Sequence, residues 1–288
     1  MRKLILATIV LAATASVWIS DGSACGRRKH RHCNSCNYGC APVCCVSIAQ
    51  EPYAPSAPSG TSLILTTPKA TYRQIPTNDR GNFEHDLAEP DSLEGAPKPS
   101  DGIHFAGSAR KVAKTSIAQA GTEPLSDLDT LLDPLLTKQD FSDGVMRKKI
   151  KPNSPRVNEE KRNVSVRAFL YATKKEGDND YHLLIGPDPS QSDNAHYMTS
   201  EVSGLPDPAN QATTTLTAAR NQFENFVERS GGHLPGTTYM RFDPPIPIVV
   251  TGSLFFDIDH HPGQVGTGTI VPKSVWEIHP VTTIVFEP

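Results

Sequence analysis

At 288 residues the chain is long enough for two domains, but a hydrophobic fraction of 37% with 25 prolines excludes a core running its full length. A formal charge of −3 excludes a strong overall field drawing the protein to nucleic acid or to an anionic membrane.

Met1-Arg2-Lys3 is a basic start, and the apolar run from Leu4 to Ala13 follows it. That run falls short of the about 20 apolar residues a membrane-spanning helix needs. Ala13-Thr14-Ala15 and Gly22-Ser23-Ala24 are small-residue cleavage sites, so 1–24 reads as a signal peptide. The expected location is secreted, periplasmic or in the cell envelope. A lipoprotein cysteine at Cys25 is a minor alternative, because Gly22 stands where a Leu-like residue is usual.

The segment 25–46 holds Cys25, Cys33, Cys36, Cys40, Cys44 and Cys45, threaded through the basic stretch Arg27 to His32. In an oxidising compartment the expectation is disulfides, with a pairing the sequence does not choose. Zinc held by Cys33, Cys36, Cys40 and Cys44 is the alternative, since Cys33 and Cys36 have ligand-like spacing. Adjacent Cys44 and Cys45 suggest links between chains.

From 47 to 124 the chain reads as a proline-rich spacer, expected to be disordered or extended because it cannot bury enough apolar surface to offset its ordering entropy. Ser62-Leu63-Ile64-Leu65-Thr66 is its one strand-like run. Over 125–162, Leu125, Leu128, Leu131, Leu132, Leu135 and Leu136 recur at helical spacing, with Pro134 expected to kink or end that helix.

The region 163–288 has the clearest order. Alternation from Val164 to Phe169 predicts a strand, Lys174 to Asn179 a polar turn, and Tyr181 to Ile185 the returning strand. His196 to Val202 is a third. Leu216, Ala219, Phe223, Phe226 and Val227 lie on one helix face, capped by Thr213 or Thr214 and closed by Gly231-Gly232. Ile246 to Phe256 and Trp276 to Phe286 are the last strands. Three strands, a helix and two strands is the chain order of an OB-type barrel. The predicted fold class is therefore mainly β with one helix (α+β), an OB-like five-stranded barrel preceded by a largely disordered N-terminal region.

In such a barrel the loops after the first and fourth strands flank one binding face. Here these loops are strongly polar, and Asp180, His182, Asp257 and His260 are the candidate ligands for a divalent metal, zinc or manganese. Glu201, Glu277 and His279 are further candidates; period two puts Glu277 and His279 on one face of their strand. Arg167, Phe169, Tyr171, Lys174, Lys175 and Glu176 form a second, ligand-binding candidate set on and after the first strand. The acidic loops beside it disfavour nucleic acid relative to a cell-envelope polymer or a protein. No H-E-x-x-H, phosphate-binding loop, G-x-S-x-G or paired C-x-x-C signature is present.

Asp178-Asn179-Asp180-Tyr181-His182, Met198 to Val202, Val250-Thr251-Gly252 to Asp257 and Glu277-Ile278-His279-Pro280-Val281 together resemble a family of uncharacterised bacterial exported proteins with a DGDxH … E … VTGxxFFDxxH … ELHPV pattern. Asn179 departs from its Gly and Ile278 from its Leu. The resemblance covers about 163–286 and implies no activity, but it marks Asp180, His182, Glu201, Asp257, His260, Glu277 and His279.

Three functions are expected in this order: a non-catalytic binding module for a glycan, protein or nucleic acid; a metal-dependent hydrolase using Asp180, His182, Asp257 and His260; and an envelope component crosslinked through its cysteines.

Overall fold

The computed structural model describes residues 62–67, 69–81, 101–191 and 195–287. The chain divides into two units, Met1–Pro52 and Tyr53–Pro288, and every described residue belongs to the second. The expected signal peptide, the cysteine-rich segment and residues 47–61 and 82–100 of the expected spacer lie outside the described residues. Among the described residues there is no cysteine and no disulfide. The expectation of a disulfide-bearing protein is corrected accordingly: contacts other than disulfides hold the described fold, and all six cysteines lie outside it.

The elements in chain order are β1 (Leu63–Thr66), β2 (Thr71–Pro76), α1 (Lys111–Lys114), β3 (Thr122–Leu125), α2 (Leu128–Thr137), α3 (Asp143–Lys149), β4 (Asn163–Lys175), β5 (Tyr181–Gly186), β6 (Met198–Val202), α4 (Thr213–Arg229), β7 (Met240–Phe256) and β8 (Trp276–Phe286). The predicted single helix is corrected to four, and three strands precede the barrel.

Five strands close on themselves. β4 pairs antiparallel with both β5 and β7, β5 with β6, and β7 with β8, while β6 and β8 run parallel. With α4 between the third and fourth of these strands, this is an OB-like barrel. β4 carries a bulge between Leu170 and Ala172, where its register shifts against both β5 and β7 and the strand bends.

Val164, Val166, Ala168, Leu170, Leu183, Ile185, Met198, Val202, Ile248, Val250, Leu254 and Ile278 supply the main apolar core. Burying each large aliphatic side chain contributes about 1.5–3 kcal/mol. Along α4 the predicted face holds: Leu216, Ala219, Phe223 and Val227 are buried, and Phe226 stacks on Phe286 at 3.7 Å. Its end is closed as expected, with Gly231 at φ 81° donating to Glu228 O and Gly232 donating to Val227 O. Its start differs: Ala212 occupies the N-cap without a side-chain bond, and the Thr213 hydroxyl donates to Asp207 O instead.

Parts of the segment read as spacer are built into this sheet. β1 and β2 extend it beside β7, and β3 runs parallel along β4. Their apolar content is small, with Leu65 and Tyr72 the buried anchors. Polar contacts do the rest: the Gln74 side chain donates to His233 O at 2.7 Å and accepts the His233 N–H at 3.0 Å. In α2 Asp127 caps the first turn by accepting the Thr130 N–H at 2.8 Å, and Leu128, Leu131, Leu132 and Leu135 are buried. Pro134 is accommodated inside that helix, which continues to Thr137.

Gly252 sits where the β7–β8 register shifts. A Cβ there would overlap the Pro280 carbonyl oxygen and lie 2.7 Å from Ile278 Cγ2. Neither the backbone nor the buried Ile278 can retreat freely, so Gly252→Ala is expected to destabilise the domain by about 1–3 kcal/mol in chemical denaturation.

Candidate metal centre

Alternation along the barrel strands sorts apolar from polar side chains. Tyr181, Leu183, Ile185, Met198, Val202, Trp276 and Ile278 belong to the main core, whereas His182, Thr199, Glu201, Glu277 and His279 are one residue out of phase. Pairing places Lys174 opposite His182, His182 opposite Glu201, Thr199 opposite Glu277, and Glu277 opposite Phe255. Residues opposite one another share a face. A row of ionisable groups therefore crosses β4, β5, β6 and β8 on the face turned away from the apolar core.

On a bare barrel that face would be wet. Here it is covered. The Ala106 N–H donates to Asp178 O and the Phe105 N–H to Leu205 O, both at 2.9 Å, and Asn179 Nδ2 donates to His104 O at 2.6 Å. These bonds lay the 103–107 segment over the turn between β4 and β5. From the far side of that turn Arg220 Nη1 of α4 donates to Asn179 O at 2.9 Å. Asn179 itself adopts φ 75°, a left-handed conformation that Asn tolerates better than most residues. Lys174 Nζ donates to Arg80 O at 3.2 Å, tying down the stretch after β2.

The polar groups are consequently buried. Asp180, His182 and His279 have no exposed surface, Glu201, Asp178, Asp257 and Glu277 retain 2% or less, and Glu176, His260, Lys114 and Lys174 are also buried. Three groups each offer three ligand atoms within 4.8 Å of one another: Glu176, His182 and Glu201; Asp180, Glu201 and His279; and Asp257, His260 and Glu277.

Within these groups carboxylate oxygens approach the imidazole nitrogens closely. His182 Nδ1 lies 2.9 Å from Glu176 Oε1 and 3.3 Å from Glu201 Oε1. His279 Nε2 lies 3.3 Å from Asp180 Oδ2, and its Nδ1 lies 2.5 Å from Glu201 Oε2 and 3.8 Å from Glu277 Oε2. Ligands about 2.0–2.2 Å from one metal sit roughly 2.8–3.6 Å apart in octahedral or tetrahedral arrangement, a range that holds the 2.9 and 3.3 Å approaches and not those at 2.5 and 3.8 Å. No ring nitrogen of His182 or His279 makes a hydrogen bond of good geometry, although carboxylate oxygens lie within ion-pair distance of three of the four. Buried polar atoms are almost always satisfied, so four such nitrogens in one cluster call for a ligand.

Electrostatics divide the two imidazoles: burial disfavours charging His182, yet Glu176 at 2.9 Å prevails and raises its pKa above the usual imidazole value. Burial, reinforced by neighbouring carboxylates, pushes Asp180 and Glu277 well above the ordinary carboxyl range and lifts Asp178 to about 6. Burial alone would raise Glu201 too, but His279 and His182 outweigh it and hold Glu201 well below its ordinary value. Burial likewise disfavours charging His260, yet Asp257 at 2.6 Å prevails and brings it to about 9. Burial wins at His279, whose pKa falls below the usual imidazole value. A neutral imidazole is the form that ligates a metal.

All seven residues Asp180, His182, Glu201, Asp257, His260, Glu277 and His279 are thus assembled in one buried cluster. Glu176 and Lys174, expected in the second set, join them. The rest of that set is divided: Arg167 is exposed and pairs with Glu287 at 2.6 Å, Tyr171 is buried with its hydroxyl donating to Pro187 O, Phe169 is half-buried, and Lys175 Nζ donates to Gly102 O. Lys114, 3.7 Å from Asp178, and Tyr239, edge-on to His182 at 5.8 Å between ring centres, were not foreseen. Lys114 lies in the expected spacer, where nothing in the sequence sets it apart; Tyr239 stands just before a strand whose start was placed at Ile246. Among the described residues no helix is long and apolar enough to cross a membrane. In comparisons with protein-family models, curated proteins and solved structures, nothing matches this chain.

Proposed function

We propose that this chain is an exported divalent-metal-binding protein whose OB-like barrel carries the metal on its covered polar face. The observation that supports it is the completely buried pair His182 and His279, whose ring nitrogens make no well-aligned hydrogen bond and are flanked by carboxylates. Zinc and manganese suit mixed imidazole and carboxylate donors. The closed setting favours binding over catalysis, since catalytic metal sites keep a coordination position open. Export and kinship with the DGDxH-pattern family belong to this proposal.

A second reading, metal-dependent hydrolysis, draws on Glu201, which turns one oxygen to each of two imidazoles in the manner of two-metal hydrolytic centres. It requires hydrolysis of a phosphodiester or glycan substrate that chelation abolishes.

The binding reading is tested by thermal unfolding of the full chain with its cysteines alkylated. Manganese at about 1,000 times its Kd stabilises by roughly 4 kcal/mol, raising Tm by roughly 8–16 °C at pH 8. Protons compete at the imidazoles and at Asp180, Glu277 and Asp178, whose raised pKa values favour their protonated forms. A carboxyl with a raised folded pKa adds stability that is complete below its unfolded value near 4 and is lost as pH rises through its folded value. These three groups therefore make the metal-free protein weakest, relative to the loaded form, at high pH. The manganese-induced rise in Tm is expected to shrink steadily from pH 8 to pH 5. No shift at any pH would overturn the reading.

A further inference from the structure

We infer that the centre is dinuclear, with the Glu201 carboxylate bridging two divalent ions. This rests on the metal-binding reading and goes beyond it in number and connectivity. Glu201 belongs to two of the three ligand groups. Its Oε1 faces His182 Nδ1, which Glu176 also approaches, and its Oε2 faces His279 Nδ1, which Glu277 also approaches at 3.8 Å, while Asp180 lies at the other nitrogen of that ring. One oxygen for each imidazole is the geometry of a bridging carboxylate, and it sets two ions about 3.5–4 Å apart. The strand pairing produces it: His182 and Glu201 are cross-strand partners on β5 and β6, while β8, parallel to β6, brings His279 to the other oxygen.

Charge supports two ions. The cluster contains six buried carboxylates, those of Glu176, Asp178, Asp180, Glu201, Asp257 and Glu277, against the two ammonium groups of Lys114 and Lys174. With all six carboxylates ionised and the imidazoles neutral, the state in which they would ligate, its formal charge is −4, which two divalent ions cancel. The third group, Asp257, His260 and Glu277, shares no residue with the other two and lies outside the bridged pair.

The test uses the full chain, cysteines alkylated so that thiolates add no metal, stripped by chelator and titrated with manganese(II) alone. Two manganese ions per chain and an exchange-coupled electron paramagnetic resonance spectrum are expected. His182→Gln is expected to bind one ion and to give an uncoupled spectrum. One ion per chain in the unaltered protein, or two with no coupling, would overturn the dinuclear centre while leaving the metal-binding reading standing. No bound ion would overturn both. If His182→Gln fails to fold, the stoichiometry and spectrum of the unaltered chain decide by themselves.

Discussion

Glu201→Gln is expected to weaken manganese binding by about a hundredfold or more while costing the metal-free protein less than the about 3–5 kcal/mol of a broken buried ion pair. Amide and carboxylate have the same shape, so the substitution removes a charged donor and keeps the packing. Altering groups that merely orient metal ligands already costs about 10–100-fold in affinity, and Glu201 faces both imidazoles directly. The competing account is a metal-free network in which protonated imidazoles pair with Glu201. Under that account Glu201→Gln breaks a buried ion pair and costs about 3–5 kcal/mol in the absence of metal. Thermal unfolding of the two proteins, each with chelator and with manganese, separates these outcomes. A large loss in chelator with no response of either protein to manganese would favour the ion-pair network.

Arg110→Met is expected to destabilise the domain by about 3–5 kcal/mol, lowering Tm by roughly 6–20 °C. Arg110 directly precedes α1, and its side chain is 1% exposed against Glu160 at 0%. Two guanidinium nitrogens reach the two Glu160 oxygens at 2.7 Å each, Nη1 also donates to Phe256 O at 3.0 Å, and the group lies over the Phe255 ring at 4.6 Å. Methionine fills similar volume but leaves the Glu160 charge buried with only backbone donors. The cost is therefore that of an orphaned carboxylate more than of lost packing. The double variant Arg110→Met, Glu160→Gln should recover part of the loss, because it removes the orphaned charge. A cost below about 1 kcal/mol for the single variant, measured by chemical denaturation, would mean that water reaches Glu160 and that α1 does not seal this end of the barrel.

The barrel was legible in the sequence because its strands and α4 carry strong periodic patterns. Tyr181 to Ile185 and Trp276 to Phe286 matched the observed strands to within a residue, and the helix predicted from Leu216 to Val227 grew only at its ends. β7 begins earlier than predicted, at Met240, because Pro244, Pro245 and Pro247 mask a strand whose paired stretch the β4 bulge divides. Ser62 to Thr66 and the leucine repeat marked β1 and α2, whereas α1, α3, β2 and β3 were harder to read, since their order comes from tertiary contacts. Arg156, for example, donates to the carbonyls of Ala113, Ser116, Leu254 and His279, tying the α1 segment to β7 and β8.

The site was legible as a set of residues and illegible as an environment. Asp180 with His182, and Glu277 with His279, already share a face by alternation. Their burial is another matter. An acidic turn such as Asp178-Asn179-Asp180 reads as solvated, and only the 103–107 segment, from a stretch with no apolar periodicity, shows why it is not. The same cover separates Glu176 and Lys174 from Arg167, which stays in solvent.

The central claim, that the covered face of the barrel is a metal centre, is tested most directly by counting metal. The full chain, with cysteines alkylated, would be purified without chelator, and zinc and manganese measured per chain by mass spectrometry alongside Glu201→Gln. Near-stoichiometric or higher metal in the unaltered protein, lost in the variant, is the predicted result. Metal-free protein that takes up neither ion on titration and melts at the same temperature with and without chelator would contradict it, leaving the cluster a network of buried ion pairs and protonated carboxyls.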